Sequence, residues 1–347
     1  MIRTTDDHTV PELTDVAPEV ATTIQAVARG VARLAAILSG PATATTAGRR
    51  NASGDAQTPL DLVAHDLFVD VLREAPVRAV ASEEADDPVL LDRDAPLAVA
   101  IDPLDGSSNV AINAPLGTIF SIVDATATDP GAVRRGADDH DAPFLGDGSR
   151  IVASGLALFG PSTMLAIAVA GRVGVYRLDS GSDRYEVETP HLEVPIDGAE
   201  YAINASNYRH WAPEVRRYVD DLVAGSEGPR GTNTNTRWVA ALVADAYRIL
   251  VRGGIYLYPA DRRDGYEHGR LRLLYEAYPV AHLIETAGGS ASDGERRILD
   301  VPVSDLHQRT PLVFGSAREV ERVADYRTAR ADGDRAPLFT NRGLFRS

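Results

Sequence analysis

The tightest constraint on folding is a pair of short apolar runs, each of strand length and each running into carboxylates. Val77 to Ala81 leads to Glu83 and Glu84, and Leu97 to Ile101 leads to Asp102 and Asp105. Such runs read as buried strands, so acids fall where two strands finish. The second run continues directly into Asp102-Pro103-Leu104-Asp105-Gly106-Ser107-Ser108-Asn109. Two carboxylates three apart can turn toward one cluster of hard cations, and Pro103 restrains the turn so that the Leu104 carbonyl can join them. Gly106, Ser107 and Ser108 follow with hydroxyls and close backbone N–H groups, the kind of concavity that binds phosphate. Alone, each piece is ordinary: Glu-Glu is a solvated pair, Asp-Pro a turn, Gly-Ser-Ser a loop. Their coincidence points to metal-assisted phosphate chemistry.

Around these runs the pattern alternates between helix and strand. Val20, Ile24, Val27, Val31, Leu34 and Ile37 recur at three- and four-residue steps and predict an amphipathic helix over 18–38. A loop rich in Thr, Ala and Gly spans 41–59, and a second helix is expected over 60–74. Strands are expected over 117–123, 151–159, 163–170, 173–178 and 184–187, the run from Thr163 fitting a helix as well; 125–143 reads as a polar surface excursion. A break near Pro195 to Ala199 divides the 347 residues into candidate domains 1–197 and 198–347. In the second, helices are expected over 213–224, 238–252, 276–287 and 318–326, with strands over 255–258 and 312–314. This alternation argues for a layered α/β architecture.

Composition narrows the function. The net charge is −15, and all 35 basic residues are Arg. A field of that sign repels nucleic acid and anionic membranes. Heavy use of Asp and Glu with no Lys suggests solubility in strong brine, where salt screens self-repulsion. There is no Cys, so any metal is held by oxygen or His. The first ten residues carry Asp6 and Asp7 and no apolar core, and no run was expected to span a membrane, so the expected location is cytoplasmic.

At the acidic turn the chain resembles a known family. IDPLDGSSN from Ile101 and NAPLGTIFSI from Asn113 are similar to the signature of class I fructose-1,6-bisphosphatases. So are WVAALVADAYRILVRGGIYLYPAD from Trp238, GRLRLLYEAYPVAHLIETAGG from Gly269 and ILDVPVSDLHQR from Ile298. The resemblance implies a sugar-phosphatase fold, an α/β/α/β/α sandwich, and Mg²⁺-dependent hydrolysis of the 1-phosphate of fructose 1,6-bisphosphate in gluconeogenesis. It implies that Glu83, Glu84, Asp102, Asp105, Glu276 and the Leu104 carbonyl hold two or three Mg²⁺ ions, or Mn²⁺. Asp105, Gly106, Ser107 and Ser108 would seat the 1-phosphate end. Asp55 in NASGD and Asp61 in PLDLVAHD match carboxylates that complete the site, with Glu84 and Asp61 polarising the attacking water. The plainer readings are a turn-former for Asp55 and a helix N-terminal acid for Asp61.

Asn204, Tyr258 and Arg270 match the family's grip on the distal phosphate, and Arg237 matches an arginine that crosses from a neighbouring subunit, implying a homodimer or homotetramer. Arg270 stands where Lys is usual; Trp238 and Asn207 stand where the family commonly has Tyr. Trp238 reads equally as a buried helix anchor. The segments PELTDVAPEV and RDAPLAVA depart from those of AMP-inhibited members, so no tight AMP inhibition is expected. Sedoheptulose 1,7-bisphosphate is an alternative substrate, and an inositol-type monophosphatase would not need the second cationic grip.

Overall fold

A computed structural model describes residues 9–13, 15–40, 49–50, 56–126, 140–179, 181–182 and 184–328. Asp55, most of the expected loop and most of the 125–143 excursion lie outside the described residues.

Two helices begin the fold, α1 (Pro18–Leu38) and α2 (Pro59–Leu72). Each has Pro in its first turn, and Thr58 caps α2 through a reciprocal box with Asp61. An eight-stranded sheet follows. Its strands are β1 (Val77–Ser82), β2 (Val89–Leu90), β3 (Leu97–Asp105), β4 (Leu116–Asp124), β5 (Ile151–Phe159), β6 (Thr163–Val169), β7 (Arg172–Asp179) and β8 (Arg184–Thr189). They lie in the order β8-β7-β6-β5-β4-β3-β1-β2, antiparallel throughout except for the parallel pair β1 and β3.

Side-chain size differs between the faces of this sheet. Leu97, Val99 and Ile101 of β3 point into the core shared with α1 and α2, whereas Ala98 and Ala100 face the opposite core. Small residues on that side let two later helices, α4 (Leu242–Arg252) and α5 (Tyr278–Thr286), lie close against β4 and β5. Gly117 of β4 marks the closest approach: a Cβ there would stand 2.7 Å from Val243 and 2.0 Å from the Ala157 carbonyl oxygen. The first turn of α4 is thereby held beside the end of β3.

Those helices also cover a second sheet of β9 (Glu200–Ile203), β10 (Asn235–Thr236), β11 (Ile255–Tyr258), β12 (Ser290–Ser292) and β13 (Leu312–Gly315), ordered β10-β9-β11-β13-β12. Its far face packs Tyr201, Ile203, Leu257 and Val313 against Trp211, Tyr218 and Leu222 and against Val320 and Val323, from α3 (Pro213–Ala224) and α6 (Ala317–Thr328) and the turn before α3. The layers therefore run α/β/α/β/α, as expected.

The structure corrects several expectations. Thr163–Val169 is a strand, as its pairing with β5 and β7 requires. Strand β3 does not stop at Ile101 but continues through Asp105, with a register shift between Asp102 and Asp105 around Pro103, which has no N–H to give the ladder. Helix α4 starts at Leu242 and not at Trp238, because Ala240 has a positive φ of 65° that no helix accommodates. Helix α1 is long and apolar enough to cross a membrane by length and composition alone, but its apolar side is taken up by the protein's own core.

His282 of α5 crosses to β5, its Nδ1 2.8 Å from the Ser154 hydroxyl. Burial, helped by Arg297, pushes its pKa down to about 4. The unfolded chain takes up this proton near the ordinary value of about 6.5 while the native state resists it, so native stability falls as pH drops through that window. The loss attributable to His282 is on the order of 3 kcal/mol by pH 4. His282→Asn should flatten this part of the profile, which urea unfolding of both proteins between pH 7 and pH 4 at fixed salt measures; parallel profiles would refute it.

Candidate metal and phosphate site

Three separate pieces of chain meet at the end of β3. Glu83 follows β1, Asp102 lies within β3, and Glu276 sits in a π-helical turn, Leu273–Ala277, that leads into α5. One carboxylate oxygen from each lies within 4.8 Å of the others, a spacing that could hold a metal ion. The π turn is the local device that inserts Glu276, since widening the helix by one residue re-aims the side chain inward. Asp102 and Glu276 are buried, and the Asp102 carboxylate accepts the Leu104 N–H at 3.0 Å.

Like charges so close resist ionisation. Burial raises the pKa of Asp102 well above the ordinary range, and Glu83, Asp105, Glu276 and Glu84 all raise it further. Glu276 is raised by burial and by Glu83 and Asp105, against a backbone N–H from Arg272 at 2.5 Å. Asp105 is pushed up to about 6 by burial, although it accepts the Val243 N–H at 2.6 Å and those of Gly106 and Leu242. These are oxygen donors without an equivalent positive charge, the pattern a hard divalent cation completes. Arg272 brings a guanidinium to the group, its Nε 3.6 Å from Glu83.

Beside the acids the chain turns sharply. Gly106 adopts a left-handed conformation (φ 77°), and a Cβ there would come within 2.7 Å of the Ala241 Cβ, so only glycine fits under the α4 segment. Ser107 and Ser108 open a 3₁₀ turn, and the buried Asn109 closes it by donating to the Pro115 carbonyl at 2.9 Å. Asp61 reaches the same place from α2. One of its oxygens accepts the Thr58 N–H at 2.5 Å; the other, Oδ1, is buried and has no hydrogen-bond partner within normal geometry among the described residues. Burial raises its pKa, with Thr58 and then the Ser107 hydroxyl pulling it down. Asp61 thus caps α2 and also lies beside Ser107. Glu84 is engaged by Gln57, whose amide donates to its carboxylate at 2.6 Å. The Leu104 side chain is buried in the core under α2.

The residues expected at the distal end are spread along the second half of the chain. Tyr258 ends β11, and Arg270 lies near enough to lower its burial-raised pKa. The Arg270 guanidinium sits 4.6 Å above the Tyr266 ring. Asn204 follows β9 and caps a short turn by accepting the Ser206 N–H at 3.2 Å. Arg237 is exposed and stands beside Glu200, with its Nε 3.9 Å from that carboxylate. Trp238 precedes α4 in place of anchoring it and stacks on Tyr256 at 5.8 Å.

Sequence reasoning missed Arg272, Gln57 and Asp245. Arg272 is four residues before Glu276 and only 3% exposed, and that spacing to a suspected ligand was the available signal. Asp245 is buried in the first turn of α4 and accepts the Val239 N–H. Asp55 lies outside the described residues.

Comparison with known proteins gives consistent matches. The model described as the N-terminal domain of fructose-1-6-bisphosphatase matches residues 3–188, and that of its C-terminal domain matches residues 194–328. The class 1 fructose-1,6-bisphosphatase of Paracoccus denitrificans is 47% identical over 330 residues, covering 95% of this chain and 96% of that protein. The one from Sinorhizobium medicae is 50% identical over 299 residues, covering 86% and 83%. The holo crystal structure of Leishmania major fructose-1,6-bisphosphatase superposes with a TM-score of 0.79 at 28% identity, covering 91% of this chain and 97% of that one.

The repulsion at Asp102 yields a test. Asp102→Asn keeps the acceptor for the Leu104 N–H and removes a charge, so at pH 8 in chelator it should melt a few degrees higher than the parent. It should also lose most of the upward shift that divalent cation gives the parent. A lower melting point in chelator, with an undiminished cation shift, would contradict the assignment.

Proposed function

The chain belongs to the class 1 fructose-1,6-bisphosphatase family, and from that membership we propose how its residues divide the reaction. The enzyme is a phosphatase that hydrolyses D-fructose 1,6-bisphosphate to fructose 6-phosphate and phosphate. The observation that carries the site assignment is the convergence of Glu83, Asp102 and Glu276 beside the Gly106 turn.

In this reading Glu83, Glu84, Asp102, Asp105, Glu276 and the Leu104 carbonyl hold two or three Mg²⁺ ions, with Mn²⁺ as an alternative. An all-oxygen donor set suits either ion, and the crowded carboxylates gain most from the positive charge. Such ions, when bound, neutralise phosphoryl oxygens, acidify water and stabilise the leaving alkoxide. The chain's own groups do the rest. Backbone N–H groups and hydroxyls of Gly106, Ser107 and Ser108 cradle the 1-phosphate, and Asp105 is steadied by the α4 backbone for the sugar end. Glu84 and Asp61 orient and polarise the attacking water, a role that suits the buried Asp61 carboxylate beside Ser107. Asp55 completes the site.

Asn204, Tyr258 and Arg270 grip the 6-phosphate, together with Arg237 from a neighbouring subunit of a homodimer or homotetramer. The division at 197/198 then separates a metal and 1-phosphate domain from a sugar and 6-phosphate domain. The same fold and metal site would serve sedoheptulose 1,7-bisphosphate, the alternative or additional substrate in this reading. The net charge of −15 and the absence of Lys support a cytoplasmic enzyme adapted to high salt.

Phosphate release from fructose 1,6-bisphosphate, sedoheptulose 1,7-bisphosphate and inositol phosphate should rank the sugar bisphosphates first. It should require Mg²⁺, stop with chelator and rise with KCl. Arg270→Ala should raise KM about tenfold or more and change kcat less, as loss of a charge-assisted phosphate contact requires. Equal turnover of inositol phosphate would overturn the assignment.

A further inference from the structure

Glu200 begins β9, and its side chain is only 8% exposed although three arginines surround it. Arg248 of α4 holds it with a fork, Nε to Oε2 at 2.7 Å and Nη2 to Oε1 at 3.1 Å. Arg252, one turn further along α4, places Nε 3.3 Å from Oε1. Arg237 brings its own Nε to 3.9 Å from that same oxygen. Its backbone is fixed as well: the Arg237 N–H donates to the Tyr201 carbonyl at 2.8 Å, and β10 just before it pairs in parallel with β9 at Glu200 and Tyr201.

Two features of this arrangement matter. Three guanidinium groups outnumber Glu200 and the nearby Asp245, making a cationic island on a chain of net charge −15. Such an excess favours a multiply charged anion. The carboxylate is also immobile, because a buried acceptor held by a two-point fork cannot swing, so the third arginine meets a fixed point. Arg237 keeps 46% of its side chain exposed and is guided without being sequestered.

We infer that Glu200 is a positioning residue that aims Arg237 at the distal phosphate of a sugar bisphosphate bound by the neighbouring subunit. The inference rests on the reading of Arg237 as the crossing phosphate ligand. Arg248 and Arg252 act through Glu200: they keep it charged and in place, and their own positive charge prevents Glu200 from neutralising Arg237.

The test compares the parent, Glu200→Gln, Arg237→Met and the double variant, as the full-length Mg²⁺-loaded oligomer. The substrates are fructose 1,6-bisphosphate and fructose 1-phosphate, which lacks the distal phosphate. Glu200→Gln should raise KM for the bisphosphate about tenfold and lower by the same factor the preference for bisphosphate over monophosphate, with kcat within about twofold. The double variant should be no worse than Arg237→Met alone, since Glu200 acts only through that side chain. If Arg237→Met raises KM but Glu200→Gln does not, or if the two effects add, the positioning role is wrong and the Arg237 reading stands. If Arg237→Met leaves KM unchanged, the reading beneath it fails. Should Glu200→Gln not fold, Glu200→Asp keeps the charge with a shorter reach and must show the same loss of preference, silent in the Arg237→Met background.

Discussion

Buried like charges govern the centre of this molecule. Carboxylates at Glu83, Asp102, Asp105 and Glu276 come from three places in the sequence, and their charges raise the cost of ionising Asp102 and Glu276. In a poorly solvated pocket, unit charges a few ångströms apart repel strongly, so the scaffold must hold them against their own field. The means are local and covalently short. A register shift at Pro103 sets Asp102 and Asp105 on the end of β3; a widened helical turn delivers Glu276; backbone N–H groups of Arg272, Val243 and Leu104 steady three of the carboxylates. Arg272 contributes a formal positive charge at the cluster, fewer than the carboxylates that meet there. The remaining deficit is what makes a divalent cation fit.

Beside the acidic cluster runs a stack of rings. Trp238 lies on Tyr256 at 5.8 Å, Tyr256 on Phe314 at 4.9 Å, and Trp238 also touches Tyr258 at 6.1 Å. Burial raises the pKa of Tyr256, and Asp245, Glu276, Tyr258 and Asp105 raise it further, while burial raises that of the half-buried Tyr258 and Arg270 lowers it. Flat, close-packed rings have few rotamers to lose, so they make a rigid wall beside the cluster. A Trp where Tyr is common in the family keeps that spacing while giving up a phenolic donor.

Much of this was legible in the sequence where chemistry and periodicity agreed. The strands at Val77 and Leu97, the acids after them and the Gly-Ser turn could be read from residues alone, because apolar runs ending in carboxylates have few other uses. Glu276 could not: the residue sits in what reads as an ordinary helix, and only the family likeness selected it before the π turn was seen. Thr163–Val169 was ambiguous because a short apolar run fits either a strand or a buried helix, and pairing with β5 and β7 settles it. The start of α4 was misplaced because nothing marks Ala240 for a positive φ, a geometry usually left to glycine. Arg272 and Asp245 escaped notice because charged residues are expected at the surface, and their burial depends on partners distant in sequence.

The helices α4 and α5 belong by sequence to the second half of the chain, yet Val243 packs into Gly117 of β4 and His282 reaches Ser154 of β5. Each half therefore supplies part of the other's interior. Severing the polypeptide near residue 197 would leave an alanine-lined sheet face bare on one fragment and two helices without a floor on the other. Activity should then return only when both fragments recombine, because each supplies the packing surface that the other leaves bare.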